Sequence, residues 1–197
     1  MKVLMVLSHA DDELIFGWPI LQDNNIEKEI LICSSDLNNP ERKWCSHRKE
    51  VLFSICKELN INCSCLDYNS AFYKVNARDE SLKRLCLDIE DNIKKFDFDY
   101  IFTHNPMGEY GMMDHILVNH IVMSMNIPIM FTDIYLTNNW SHYNEIPQRF
   151  KNLYYQNHIS NHKLDINFYN RVKNIYMNSK VWTWNQEPIK QCGVYEL

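Results

Sequence analysis

Residues 1–13 read MKVLMVLSHADDE. Residues 3–7 form an apolar run of Val, Leu and Met, which passes without a spacer into Ser8, His9, Ala10 and the acids Asp11, Asp12 and Glu13. A short run of this kind reads as a strand buried on both faces of a parallel sheet. In an open α/β sheet, ligands bind beyond the carboxyl ends of the strands. An imidazole and three carboxylates therefore stand where chemistry is expected. The apolar stretch is too short for a secretory leader or a membrane span, and no later segment is apolar enough to span, so a soluble, cytoplasmic protein is expected.

Four more apolar runs follow, at 30–34 (ILICS), 61–66, 99–103 (DYIFT) and 127–135. Between them lie segments with helical spacing at 13–22, 42–59, 81–93 and 114–125. Strand and helix alternate, which predicts an α/β fold with a mainly parallel sheet and right-handed crossovers. From Asn138 the alternation stops. The tail is rich in Asn, Tyr and Trp, with one helix expected near 168–180. No Gly/Ser linker sets it apart, so residues 1–197 read as one domain, with 138–197 an irregular, aromatic-rich extension.

Composition narrows the function. The chain has 197 residues, 46% of them hydrophobic and 23% charged, which is ordinary globular usage and excludes disorder. A net charge of -5 excludes a global attraction for nucleic acid or an anionic membrane. The seven cysteines, at 33, 45, 56, 63, 65, 86 and 192, contain no CxxC pair. A zinc ribbon or redox motif is therefore not indicated, and a reducing compartment is the simpler setting.

The fourth run ends in His104-Asn105-Pro106 and leads through Met107-Gly108-Glu109-Tyr110-Gly111 to Met112-Met113-Asp114-His115. Both chemically unusual strand ends meet the same sheet edge. Adjacent acids repel one another unless a cation or donor neutralises them. His9, Asp12 and His115 form a His₂-carboxylate set, the pattern of a catalytic zinc site with an open position for water. Asp11 is placed to act as general base on that water. The same three acids equally suit a helix N-terminus, which they would cap.

SHADDELIFG (8–17) resembles the (A/P)HPDDE signature of the PIG-L/LmbE-like zinc deacetylases, and THNPMGEYGMMDH (103–115) resembles that family's second motif, usually GEYGHxxH. The resemblance implies a Rossmann-like three-layer fold with the metal site at the C-terminal edge of the strands. It further implies Zn²⁺, or another divalent metal, and removal of an N-acetyl group from an amino sugar or glycoconjugate. His9 and Asp12 match the first two zinc ligands, His115 the third, and Asp11 the general base. Two positions depart from the pattern. Ala10 replaces Pro, which alters only loop stiffness. Met112 replaces the His thought to stabilise the oxyanion or protonate the leaving amine, a task beyond a thioether. His104 and His142 are candidate replacements.

Four residues are candidate substrate contacts: Arg48, in a charged helix start, and His104, Glu109 and Tyr110. Trp140, Trp182 and Trp184 could stack on a sugar ring or belong to the core. Two rivals remain: a catalytically weakened metal- or sugar-binding relative, and a nucleotide-binding α/β protein without metal.

Overall fold

The computed structural model describes residues 1–36, 47–70, 80–134 and 153–197, with the side chains of 80 and 81 left aside. Strand β1 (Lys2–His9) lies at the centre of a seven-stranded sheet. It pairs in parallel with β2 (Glu27–Ser34) on one side and β4 (Tyr100–Thr103) on the other. Outside these run β3 (Asn62–Tyr68) and β5 (Ile129–Thr132), also parallel. The order is β3-β2-β1-β4-β5-β7-β6.

Side chains alternate across a strand, and β1 is buried on both faces. Val3, Met5 and Leu7 enter one apolar core, and Leu4 and Val6 enter the other. The first core is covered by α1 (Asp12–Ile15), α2 (Trp18–Leu21), α3 (Arg48–Leu59) and a late helix, Ile166–Asn178. The second is covered by α4 (Glu80–Ile93) and α6 (Met113–Met123), the latter preceded by the turn-like α5 (Gly108–Gly111). The result is the expected three-layer α/β arrangement, with both motif segments at the carboxyl edge of β1 and β4.

Two local expectations change. The single helix at 13–22 is two short helices broken at Gly17. A Cβ there would lie 2.5 Å from Met5 Cε and 2.9 Å from the Glu13 carbonyl, so only glycine lets the chain pass this close to β1. Pro19 then opens α2, where its missing N–H costs nothing. The beginning of the helix expected at 42–59 lies outside the described residues.

The described part of the tail is also more regular than expected. It contains β6 (Asn157–Lys163), the predicted helix as α7 (Ile166–Asn178), and β7 (Gln191–Glu196). β7 inserts antiparallel between β5 and β6. Asp165 caps α7 by accepting from the N–H groups of Asn167 and Phe168. Among the described residues, no helix is long and apolar enough to cross a membrane.

Candidate metal centre

β1 delivers His9, and the turn after it delivers Asp11 and Asp12. Asp11 takes a left-handed conformation, φ 98°, which is uncommon for a residue with a side chain. The Glu13 carboxylate accepts the Asp11 N–H at 2.9 Å and holds that turn. On the other side, β4 ends in His104, and a loop with three positive φ angles (Gly108, Glu109, Gly111) carries the chain to His115. Gly108 is required there, because a Cβ would meet Ile116 at 2.8 Å. Asn105 braces the loop by accepting from the N–H groups of Met107 and Glu109 and donating to the Ile134 carbonyl.

These elements bring His9, Asp12 and His115 together, though the two histidines are 106 residues apart in sequence. His9 Nδ1 lies 3.2 Å from Asp12 Oδ2, His115 Nε2 lies 3.4 Å from His9 Nδ1, and His115 Nε2 lies 3.5 Å from Asp12 Oδ2. Ligands of a tetrahedral zinc, each about 2.0–2.1 Å from the metal, stand about 3.3–3.4 Å apart.

The outward nitrogens explain which atoms face inward. His115 Nδ1 lies 2.6 Å from Glu109 Oε2, and His9 Nε2 lies 3.4 Å from Asp114 Oδ2. With the ring protons donated to those carboxylates, the inner nitrogens present lone pairs to each other and to the Asp12 carboxylate. Three acceptors so close repel one another, and a cation removes the repulsion. Carboxylate-backed imidazoles are the usual supports of metal-bound histidine. The donor set therefore fits a divalent ion.

Without a metal, the same carboxylates favour a second proton on His9, which a bound cation would displace. Burial opposes charge on His9, but Asp12 and Asp114 carry its pKa to about 9. Burial also opposes charge on Asp12, yet His115, His9 and His104 hold it well below the ordinary range. Burial and the neighbouring His104 push His115 down. Glu109 is pulled to about 2 by His104 and His115 in spite of its burial.

A cleft of about 450 Å³ opens beside these atoms, lined by His9, Asp11, Asp12, Arg48, Tyr110 and Met112 among others. Arg48 donates to Asp11 Oδ1 and to the Ala10 carbonyl, both at 3.0 Å. Burial raises Asp11 to about 6, against the pull of Arg48. Of the four expected substrate contacts, Arg48 and Tyr110 line the cleft. His104 and Glu109 are among the buried polar residues and lie outside the cleft lining. His104 accepts the Ser8 N–H on Nε2 and faces Glu109 with Nδ1, so both nitrogens are occupied. Buried behind Asp12 and Glu109 and outside the cleft lining, His104 does not take the place of the missing motif histidine there, and Met112 itself occupies the cleft wall. His142, Trp140 and Cys45 fall outside the described residues.

Some site residues escaped the sequence reading. Asp114 stands next to a candidate ligand, and that adjacency was the available signal. Thr183, which donates to Asp11 Oδ2 at 2.9 Å, and Tyr176, which donates to Glu13 Oε1 at 2.6 Å, gave none. Trp182 and Trp184 both pack against the first core, and Trp184 also lines the cleft.

The family model described as PIG-L, GlcNAc-PI de-N-acetylase, matches residues 4–126, more than half of the chain. The chain belongs to the PIG-L family. Both quoted motifs lie within the matched PIG-L region. A curated relative, uncharacterized protein L374 of Acanthamoeba polyphaga mimivirus, is 25% identical over 159 residues, spanning 77% of this chain and 69% of that protein. A deacetylase of the teicoplanin biosynthesis pathway, solved in complex with teicoplanin, superposes with a TM-score of 0.64 at 11% identity, covering 100% of this chain and 97% of that one. GalB, the 4-carboxy-2-hydroxymuconate hydratase of Pseudomonas putida KT2440, superposes with a TM-score of 0.56 at 13% identity, covering 100% and 96%. At such identities the structural likenesses establish the PIG-L fold and not the reaction.

Proposed function

We propose that this PIG-L protein is a metal-dependent amide hydrolase that removes an N-acetyl group from an amino sugar or sugar conjugate. The observation that carries the reading is the convergence of His9 Nδ1, Asp12 Oδ2 and His115 Nε2 within 3.5 Å, each imidazole backed by a carboxylate. These three residues would hold Zn²⁺ or another divalent cation, which supplies Lewis acidity by polarising an amide carbonyl and lowering the pKa of water. Asp11 lines the cleft beside Asp12 and takes the proton from the attacking water. When the C–N bond breaks, the departing amine needs a proton, and Asp11 returns the one it gained. Arg48 holds Asp11 in place. Burial and the nearby Asp12 keep the Tyr110 hydroxyl protonated, so it is a hydrogen-bond donor in the cleft for the developing oxyanion.

A second reading is favoured by one observation, Met112 in the cleft wall: a relative that keeps the pocket and turns over slowly. Loss of one oxyanion donor costs about 10²–10³ in rate. One domain over 1–197 is supported by β6 and β7 extending the same sheet and by α7 packing on the same core. A reducing cytoplasmic setting is supported by the six described cysteines, all free.

Acetate release from N-acetylglucosamine and its glycosides tests the proposal. The metal-loaded protein is expected to release acetate, Asp11→Asn to lose the activity, and Met112→His to raise it. Sustained hydration of an enoic acid without acetate release would overturn the deacetylase reading in favour of GalB-like chemistry.

A further inference from the structure

Three tethers hold Asp11, and two of them start beyond residue 126, outside the PIG-L match. Arg48 donates to Oδ1 at 3.0 Å. Thr183 Oγ1 donates to Oδ2 at 2.9 Å. Tyr176, from α7, donates to Glu13, whose other oxygen accepts the Asp11 backbone N–H. The segment that carries Thr183 is itself anchored. Val181 is buried, and its N–H bonds to the Tyr176 carbonyl at 3.1 Å. Trp184 packs on Phe16 and Tyr110, with ring centroids 5.7 Å away in each case. The Thr183 hydroxyl is therefore held at the base by packing on both sides of it.

We propose that Thr183 is a positioning residue for the reaction, fixing the rotation of the Asp11 carboxylate so that Oδ2 faces the attacking water. This inference rests on the reading of Asp11 as general base. A single tether on Oδ1 restrains the turn about the Cβ–Cγ bond only as far as one hydrogen bond resists bending, and the second bond, on Oδ2, narrows that range. A hydroxyl suits the place because it serves both states of the base. It donates while Asp11 is a carboxylate and accepts once Oδ2 carries the proton. Valine has the same shape but does neither, and serine does both.

The test compares wild type, Thr183→Val and Thr183→Ser as zinc-loaded full-length proteins. On N-acetylglucosamine, Thr183→Val is expected to lower kcat about 10–100-fold, in line with the cost of small misplacements in an active site. KM and zinc content should be unchanged, and Thr183→Ser should return kcat to within about threefold of wild type, since it restores the same donor and acceptor. Crystal structures of wild type and Thr183→Val provide a readout independent of turnover. One Asp11 carboxylate orientation bonded to Thr183 is expected in wild type, and a rotated or split carboxylate in the valine variant. An unmoved carboxylate in Thr183→Val, or a serine variant as slow as the valine one, would overturn the role of Thr183. If wild type releases no acetate while the carboxylate rotates as described, the deacetylase reading fails and the positional role of Thr183 stands.

Discussion

The region matched by the PIG-L model and the region after residue 153 are built differently. In the first, β1 is buried along nearly its whole length, and its last residue is a metal-ligand candidate. In the second, β6 is the outermost strand of the sheet and mostly exposed. Yet that region reaches back to Asp11, through Thr183 and through the Tyr176–Glu13 pair. The difference separates two tasks. On the proposed reading, the first region supplies the atoms that bind and react, and the second supplies hydrogen bonds that hold them still.

The largest effect expected of any substitution belongs to the first region. His115→Ala should abolish metal binding, read as zinc per protein after dialysis, and acetate release with it. Full zinc content in that variant would break the division of tasks at its base. Asp11→Asn should keep the metal and lose about 10²–10⁴ in kcat, the usual contribution of a general acid–base group. Glu109→Gln should weaken zinc affinity about 10–100-fold in a chelator competition, because it alters the support of His115 and leaves the three metal-ligand candidates themselves in place. Tyr176→Phe, in the second region, leaves the buried Glu13 carboxylate short of a donor and should destabilise the fold by about 1–3 kcal/mol in urea. Its metal content should not change. Ile159→Thr on the exposed strand β6 should shift stability by no more than about 0.5 kcal/mol. A larger loss would show that this edge is covered in solution.

What could be read from the sequence follows the same division. Runs such as VLMVL and ILICS announce themselves because a strand buried on both faces must be apolar throughout. The His9, Asp12 and His115 grouping was legible because each closes or follows such a strand. β6, NHISNHK, has no such signature, since an edge strand facing solvent tolerates polar residues at every position. β7 was hidden for another reason. Its partners Met130, Phe131 and Thr132 lie more than 60 residues away, and short runs do not encode long-range register. The break at Gly17 was missed because helical periodicity carries no information about how close Met5 approaches. Glu109 was read as a substrate contact from its place in the loop. Its left-handed backbone turns the carboxylate toward His104 and His115 instead.

The most direct test is a crystal structure of zinc-loaded protein with anomalous data at the zinc edge. A single peak about 2.0–2.1 Å from His9 Nδ1, Asp12 Oδ2 and His115 Nε2 is predicted. No peak between those atoms, or a peak held by other residues, would contradict the metal centre and the hydrolase built on it.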